Sequence, residues 1–205
     1  MNWLYDLENI LTEFLNNAGV LAPLFSCVFI FLEGILAFLP LFVFVAFNIL
    51  ALSTLLGSFW GTILSVLLSW ICSVLGGFTT FMLVRRAFSN SFRNKIKNKE
   101  KTNKFMNVID HLKYSQLVLL ISIPFSPSFF INLGGGLSKI NSKKYFCALL
   151  IGKFVEIIFL SFVGVSLIEC FTEPLALIKV VAILVFGYVV SIVVNKKFDL
   201  DSRFE

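Results

Sequence analysis

Long apolar runs, two of them interrupted, dominate the pattern of hydrophobic and polar positions along the chain. Residues 117–144 begin as an apolar run that Pro124 and Pro127 break, and they continue through Asn132 to a group of lysines. A helix needs about 20 unbroken apolar residues to cross a bilayer. Broken backbone in hydrocarbon is tolerated only against protein or around a water-filled cavity. The pattern favours a re-entrant helical hairpin lining a polar site, with a kinked transmembrane helix as the alternative.

Residues 18–56 show a similar interruption nearer the N-terminus. This stretch is too long for one span and too short for two, contains Glu33, and is broken at Pro40. It predicts either a hairpin with its tip near residues 37–40 or a full span over residues 20–39 followed by a short helix.

The remaining pattern predicts simpler elements. Residues 1–17 carry apolar side chains at helical spacing, with acids and asparagines opposite, which indicates an amphipathic helix lying in the membrane interface. Residues 57–84, residues 145–168 and residues 175–195 are each long and apolar enough to span the membrane.

The amino-acid composition agrees with a chain that crosses the membrane several times. The chain of 205 residues is 58% hydrophobic, whereas ordinary soluble domains have about 45–50% apolar residues. Glu33 is the only charged residue between Ala18 and Val84. The sequence therefore predicts an all-α polytopic membrane protein with a single membrane domain.

The basic residues predict the topology. Nine Lys/Arg lie between Arg85 and Lys113, against two acids. Between membrane segments such a run is typical of a cytoplasmic loop, here residues 85–116, rather than of a nucleic-acid site. A hairpin at 117–144 that returns to its own side puts every lysine cluster, and the C-terminus, in the cytoplasm.

The two interrupted stretches predict an inverted repeat. Residues 18–84 and residues 117–168 each combine a hairpin with a span, and they enter from opposite sides. Asn48 follows Pro40 by eight residues, and Asn132 follows Pro124 by the same interval. Paired interrupted segments in two halves are the best sequence indication of a transporter's central site.

The chain resembles the DedA superfamily, and more closely its Tvp-like branch, also called the VTT-domain or SNARE-associated Golgi protein family. The resemblance covers about residues 25–165 and is carried by the motifs Glu33-Gly-Ile-Leu-Ala-Phe-Leu-Pro40, Asn48, Ser69-Trp70, Gly76-Gly77, Phe81 to Arg85, Ile123-Pro-Phe-Ser-Pro127, Asn132, Gly135-Gly-Leu-Ser-Lys139, Phe146 and Gly152. It implies two inverted re-entrant helices, and family members are associated with moving phospholipids or polyprenyl-phosphate carriers between leaflets. The family's acidic residue in the first hairpin corresponds to Glu33. Many relatives carry an arginine before the second proline motif, where this chain has Ser122.

Five residues are candidates for contact with a substrate or ion. Glu33 is an isolated charge in a membrane segment, and such residues usually face a cavity or a partner. Lys153 and Glu156 are three apart on one predicted helix, so their side chains can meet. Lys153 can supply the positive charge that the missing arginine carries in relatives. Alternatively, the charges of Lys153 and Glu156 merely neutralise each other. Asn48 and Asn132 can contact a headgroup or cap broken-helix carbonyls.

The prolines and glycines of the two hairpins are expected to shape them without touching substrate. These residues are Pro40, Pro124, Pro127, Gly134, Gly135 and Gly136. The four cysteines are scattered and His111 is the only histidine, so no metal site, disulfide framework or cofactor is predicted. No catalytic constellation or nucleotide-binding loop indicates an enzyme.

The leading hypothesis is a lipid translocator of the scramblase type in a bacterial plasma membrane. Its expected partners are membrane lipids, either phospholipid or polyprenyl phosphate, and not nucleic acid. The sequence leaves open whether the chain forms a homo-oligomer. One alternative is a proton-coupled transporter of small solutes or ions that uses Glu33. A non-transporting membrane scaffold is the other.

Overall fold

The structure is a computed structural model that describes residues 17–36, 39–87, 112–124 and 128–172, together with Ile109 and Val185. The predicted interfacial helix, most of the basic loop, Pro127 and the last predicted span lie outside the described residues. Within them the structure is all-helical and contains no strand. Its six helices are α1 (Leu21–Glu33), α2 (Leu41–Leu56), α3 (Ser58–Ala87), α4 (Tyr114–Ser122), α5 (Ser128–Leu137) and α6 (Ser142–Thr172).

The two long helices α3 and α6 pack against each other in antiparallel orientation. Trp70 donates a hydrogen bond from Nε1 to the carbonyl of Leu150 at 2.9 Å. Three turns further along α3, the ring of Phe81 stacks on Tyr145, with centroids 4.2 Å apart. Ser58–Ala87 and Ser142–Val163 are long and apolar enough to cross a membrane, as the sequence predicts.

The first interrupted stretch forms two separate helices. Helix α1 ends at Glu33 after 13 residues, which gives a length of about 20 Å against about 30 Å of hydrocarbon. A continuous span over residues 20–39 is therefore wrong. Helix α2 begins after Pro40 and packs on α1, α3 and α6.

Glycines bring the helices of this first part together. Gly57, with a φ of 81°, forms the tight turn between α2 and α3. A Cβ at Gly61 would lie 2.5 Å from the backbone of Leu52, so the absence of a side chain allows α3 to lie directly against α2. The Gly57–Gly61 spacing thus serves the α2–α3 hairpin.

The second interrupted stretch also forms two short helices, α4 with 9 residues and α5 with 10 residues. Helix α4 packs on α6, where a Cβ at Gly152 would lie 2.6 Å from Ile121. Helix α5 packs on α3. Neither short helix is long enough to cross a bilayer, and their return to the same side stays a prediction.

The burial pattern is that of a protein surrounded by lipid. Large apolar side chains point outward, with Phe59, Trp60 and Phe162 each more than 60% exposed. Polar side chains such as Ser65 and Ser69 are fully buried. Apolar groups on the outside and polar groups inside indicate a membrane location.

Candidate functional site

Lys153 and Glu156 form a buried ion pair on α6. Lys153 Nζ lies 2.7 Å from Glu156 Oε2, and the two residues are only 1% and 2% exposed. This contact confirms the prediction that the two side chains meet. Lys153 also donates a hydrogen bond to Oγ of Ser128 at 2.8 Å. Because Ser128 is the first residue of α5, the ammonium lies at the N-terminal end of that helix.

Glu33 is the third charge in this region. It is the last residue of α1 and is 9% exposed. Ile30, which lies one turn before Glu33 on α1, packs in one apolar cluster with Ile157 and Leu160 of α6, so Glu33 lies in the same region as the ion pair. Among the residues that the structure describes, Glu33 Oε2 has no hydrogen-bond partner. An unpaired buried carboxylate oxygen is costly, which makes Glu33 a candidate for contact with an ion or a charged ligand.

The formal charge of this cluster is unbalanced. Glu33 and Glu156 carry one negative charge each when ionised, against the single positive charge of Lys153. Lys153 is the only Lys or Arg among the fully buried side chains of the described residues. We call Glu33, Ser128, Lys153 and Glu156 the charged cluster.

The hydrogen bonds of Asn48 tie α2 to α3. Its amide Nδ2 donates to Ser69 Oγ at 2.9 Å and to the Ser65 carbonyl at 3.3 Å. Within the described part of the chain its Oδ1 has no partner. The observed bonds explain why a polar residue is tolerated in the middle of α2.

Asn132 is placed where α5 crosses α3 and α6. Its Oδ1 accepts a 2.8 Å hydrogen bond from the hydroxyl of Tyr145. A Cβ at Gly77 would come within 3.1 Å of the Asn132 amide. The Tyr145 ring in turn stacks on Phe81. This hydrogen bond ties α5 to α6, and contact of Asn132 with a broken-helix carbonyl or with a headgroup stays a prediction.

The residues predicted to shape the hairpins differ in what they do. Pro40 precedes α2, and Pro124 lies in the turn after α4. The glycines Gly134, Gly135 and Gly136 lie inside α5 and are buried. A Cβ at Gly135 would lie 2.6 Å from the Tyr145 ring, and one at Gly136 would lie 2.8 Å from the Phe81 carbonyl. The absence of a side chain at these two positions allows α5 to pack closely against α6 and α3.

Gly76 and Gly77 mark the point where both interrupted stretches meet α3. A Cβ at Gly34, directly after α1, would lie 2.5 Å from the backbone of both residues. Asn132 of α5 contacts Gly77 from the other stretch. Thr80 donates from Oγ1 to the Gly34 carbonyl at 2.6 Å and so satisfies a carbonyl at the break. The Gly76-Gly77 pair can be recognised in the sequence. Its role, to let the end of α1 and helix α5 approach α3, depends on how these helices cross.

Arg85 has a role that the sequence did not indicate. Its guanidinium donates to the carbonyls of Ile140 at 2.7 Å and Ser138 at 2.9 Å, and to Gly135 and Gly136 at longer distances. It also lies over the Phe81 ring, 4.3 Å from the centroid. Carbonyls at a helix C-terminus lack partners within the helix and attract cations. The only available signal was the spacing Phe81-x-x-x-Arg85.

The described residues contain no group of three His, Cys, Asp or Glu side chains close enough to hold a metal ion. The arrangement brings together Glu33, Lys153 and Glu156, and it leaves Asn48 and Asn132 at separate helix crossings. Chemically, the charged cluster can bind ions or a charged group inside the membrane domain.

The chain is similar to known membrane proteins. The profile of the VTT domain matches residues 45–166. The uncharacterized membrane protein YhjE of Bacillus subtilis (strain 168) is 31% identical over 186 residues, covering 90% of this chain and 86% of that protein. The uncharacterized protein YqeD of the same organism is 25% identical over 183 residues, covering 88% and 80%. No solved structure matches the chain.

Proposed function

The chain belongs to the VTT-domain family of membrane proteins, and from this premise we propose that it moves lipid headgroups between the two leaflets of a membrane. The observation that carries the proposal is the charged cluster. Charges inside a membrane domain are expensive and usually mark a pathway for ions or substrate. The charged cluster lies where α1 ends and α5 begins, and interrupted helices commonly form the binding site of a transporter.

A headgroup could cross through such a site while its acyl chains stay in the bilayer. Lys153 would attract the phosphate, in the place of the arginine that many relatives carry before the second proline motif. The backbone N–H groups of the first turn of α5 lack partners within the helix and favour an anion. Part of the packing supports an inverted repeat: α1 packs on α3 as α4 packs on α6, and α2 packs on α6, in addition to α3, as α5 packs on α3.

The proposal is tested with the purified protein in liposomes that contain a trace of an acyl-chain-labelled phospholipid or polyprenyl phosphate. We expect a membrane-impermeant quencher to reach label from both leaflets, whereas empty liposomes protect the inner one. The double variant Lys153→Gln/Glu156→Gln should exchange lipid more slowly. Exchange no faster than in empty liposomes, for every lipid tried, would overturn the proposal.

A second candidate function is a proton-coupled transporter of small solutes or ions. The observation that favours it is the unpaired buried oxygen of Glu33, because a carboxylate there can take up a proton. A pH gradient would then drive solute uptake in the same liposomes, and Glu33→Gln would abolish the response. Lipid exchange that ignores the gradient would favour the first function.

A further inference from the structure

Helices α1 and α3 are in direct backbone contact and run in the same direction. A Cβ at Gly76 would clash with the Phe31 carbonyl. Three residues after Phe31, the carbonyl of Gly34 accepts a 2.6 Å hydrogen bond from Thr80, which follows Gly76 by four residues. The contacts therefore advance together along the two helices. Side chains one turn before Phe31 and one turn before Gly76 are accordingly expected to face each other.

Cys27 and Cys72 occupy these two positions. Each lies four residues, about one helical turn, before the contact between Phe31 and Gly76 on its own helix. The two thiols share a hydrogen bond, and both cysteines are free. A disulfide requires Cα atoms about 4.4–6.8 Å apart. Backbone contact between the helices one turn away makes this separation attainable.

The thiol pair lies inside the membrane domain and is partly open to lipid. Cys72 is halfway along the 30 residues of α3, and both cysteines are partly exposed. The neighbouring side chains of Leu24 and Val28 on α1 are more than half exposed. A reagent that reaches the two thiols from the surroundings of the helices must therefore be soluble in hydrocarbon.

We propose that Cys27 and Cys72 are a redox modification site, at which an organic hydroperoxide dissolved in the bilayer joins α1 to α3 by a disulfide. One sulfur attacks the terminal peroxide oxygen and passes its proton to the alkoxide that leaves, which gives a sulfenic acid and an alcohol. The second sulfur then displaces the sulfenic oxygen, which leaves as water with the proton of the second thiol. The two sulfurs together lose two electrons, and the peroxide gains them.

The contact between the thiols decides the product of this oxidation. A sulfenic acid without a neighbouring thiol is oxidised further to a sulfinic acid, which ordinary reductants do not reverse. Here the second thiol is already in contact, so the sulfenic acid is converted to a disulfide that a reductant can open. Glu33 follows Cys27 by six residues on α1. The disulfide would therefore hold the end of α1 that carries Glu33 against α3.

Tryptic digestion gives a direct assay, because the chain has no Lys or Arg before Arg85. Residues 1–85 form one peptide that contains Cys27 and Cys72, whereas Cys147 and Cys170 are in later peptides. The full chain in vesicles of phosphatidylcholine and phosphatidylglycerol is treated with cumene hydroperoxide, denatured, alkylated with N-ethylmaleimide and digested. We expect the peptide 1–85 to change from two alkyl groups to none, and to regain both when dithiothreitol precedes alkylation.

Cys27→Ser/Val28→Cys is the matched control. It keeps two thiols in the same peptide but moves one of them about 100° around α1, to a position that is 55% exposed. We expect its disulfide to form about tenfold more slowly or less, because two groups held in contact react far faster than two groups that must first meet. Equal rates in the two proteins would overturn the inference.

Oxidised glutathione tests the class of oxidant, because its charges exclude it from hydrocarbon. We expect it to leave Cys27 and Cys72 reduced in vesicles. Oxidation of the pair as fast as by cumene hydroperoxide would overturn the assignment of a lipid-dissolved oxidant. Cys147 is exposed and is the internal reference for the hydroperoxide. If Cys147 is oxidised while Cys27 and Cys72 stay reduced or become sulfinic acids, the modification site itself is overturned.

Discussion

At the scale of single residues, the pairing of Lys153 with Glu156 predicts unequal effects of single and double substitution. Replacing Lys153 by Gln leaves Glu156 as an uncompensated charge that is 2% exposed. Breaking a buried ion pair by removing one partner costs about 3–5 kcal/mol. We expect the thermal midpoint of the detergent-solubilised protein to fall substantially. Lys153→Gln/Glu156→Gln should recover part of the loss, because Glu156 no longer carries an uncompensated charge and Glu33 is the only ionisable residue left in the charged cluster.

Lys143 provides the matched control for this experiment. It lies in the first turn of the same helix and is exposed. Lys143→Gln should change the midpoint little, as is usual for surface substitutions. A double variant as unstable as Lys153→Gln would show that the two charges do not compensate each other.

Residue-scale contacts could be predicted where they are local. The Lys153–Glu156 contact follows from helical spacing, and the isolation of Glu33 marked it as part of a polar site. The hydrogen bond between Tyr145 and Asn132 could not be predicted in the same way. It depends on how the turn between α5 and α6 folds one helix against the other, and sequence spacing does not determine that geometry.

At the scale of elements, Arg85 is expected to hold the C-terminal end of α5. Its guanidinium reaches several carbonyls at once, which the compact ammonium of lysine cannot do. We expect Arg85→Lys to raise backbone amide exchange in residues 128–137 by about tenfold, which corresponds to about 1.4 kcal/mol of local stability. Hydrogen exchange followed by mass spectrometry measures this directly.

The neighbouring Arg86 is the natural comparison. It is exposed at the end of α3, so Arg86→Lys should leave the exchange of α5 unchanged. Helix α1 serves as an internal reference in both variants. Equal protection of α5 in Arg85→Lys and in the unmodified protein would mean that the carbonyl contacts contribute nothing to its position.

The helix boundaries could be predicted from the sequence to a useful degree. Pro40 and Pro124 marked both interruptions, because proline removes a donor and clashes with the preceding turn. The long helices followed from uninterrupted apolar length. The contact of Arg85 with α5 was missed because arginines that follow a span are normally explained by the positive-inside rule, and nothing local distinguishes a capping arginine from a topological one.

At the scale of the whole molecule, the packing of α1 and α3 determines where the ends of the first interrupted stretch lie. Phe31 and Gly34 approach α3 near Gly76, and Thr80 bonds the Gly34 carbonyl, so the two helices run in the same direction. The beginning of α1 therefore lies toward the Ser58 end of α3. The antiparallel helix α6 begins at the opposite end, beside Ala87.

Basic side chains gather at this second end of the molecule. Arg86, Lys113, Lys139, Lys143 and Lys144 are all exposed there. Leu112 packs in the same apolar cluster as Phe81 and Tyr145, which places the beginning of α4 at that end as well. By the positive-inside rule this end should face the cytoplasm.

Cysteine labelling tests both hairpins together. In a variant without the four native cysteines, single cysteines are placed at Asn17, Ser58, Tyr114 or Lys143 and treated with an impermeant thiol reagent in sealed cells and in inverted vesicles. We expect Asn17→Cys and Ser58→Cys to react from outside, and Tyr114→Cys and Lys143→Cys from the cytoplasm. A stretch that returns to its own side must give the same answer at both ends, whereas a stretch that crosses must give opposite answers. If Tyr114→Cys is labelled from outside while Lys143→Cys is labelled from the cytoplasm, residues 114–137 must cross the membrane. The second stretch would then not be a re-entrant hairpin, and the predicted inverted repeat would be wrong.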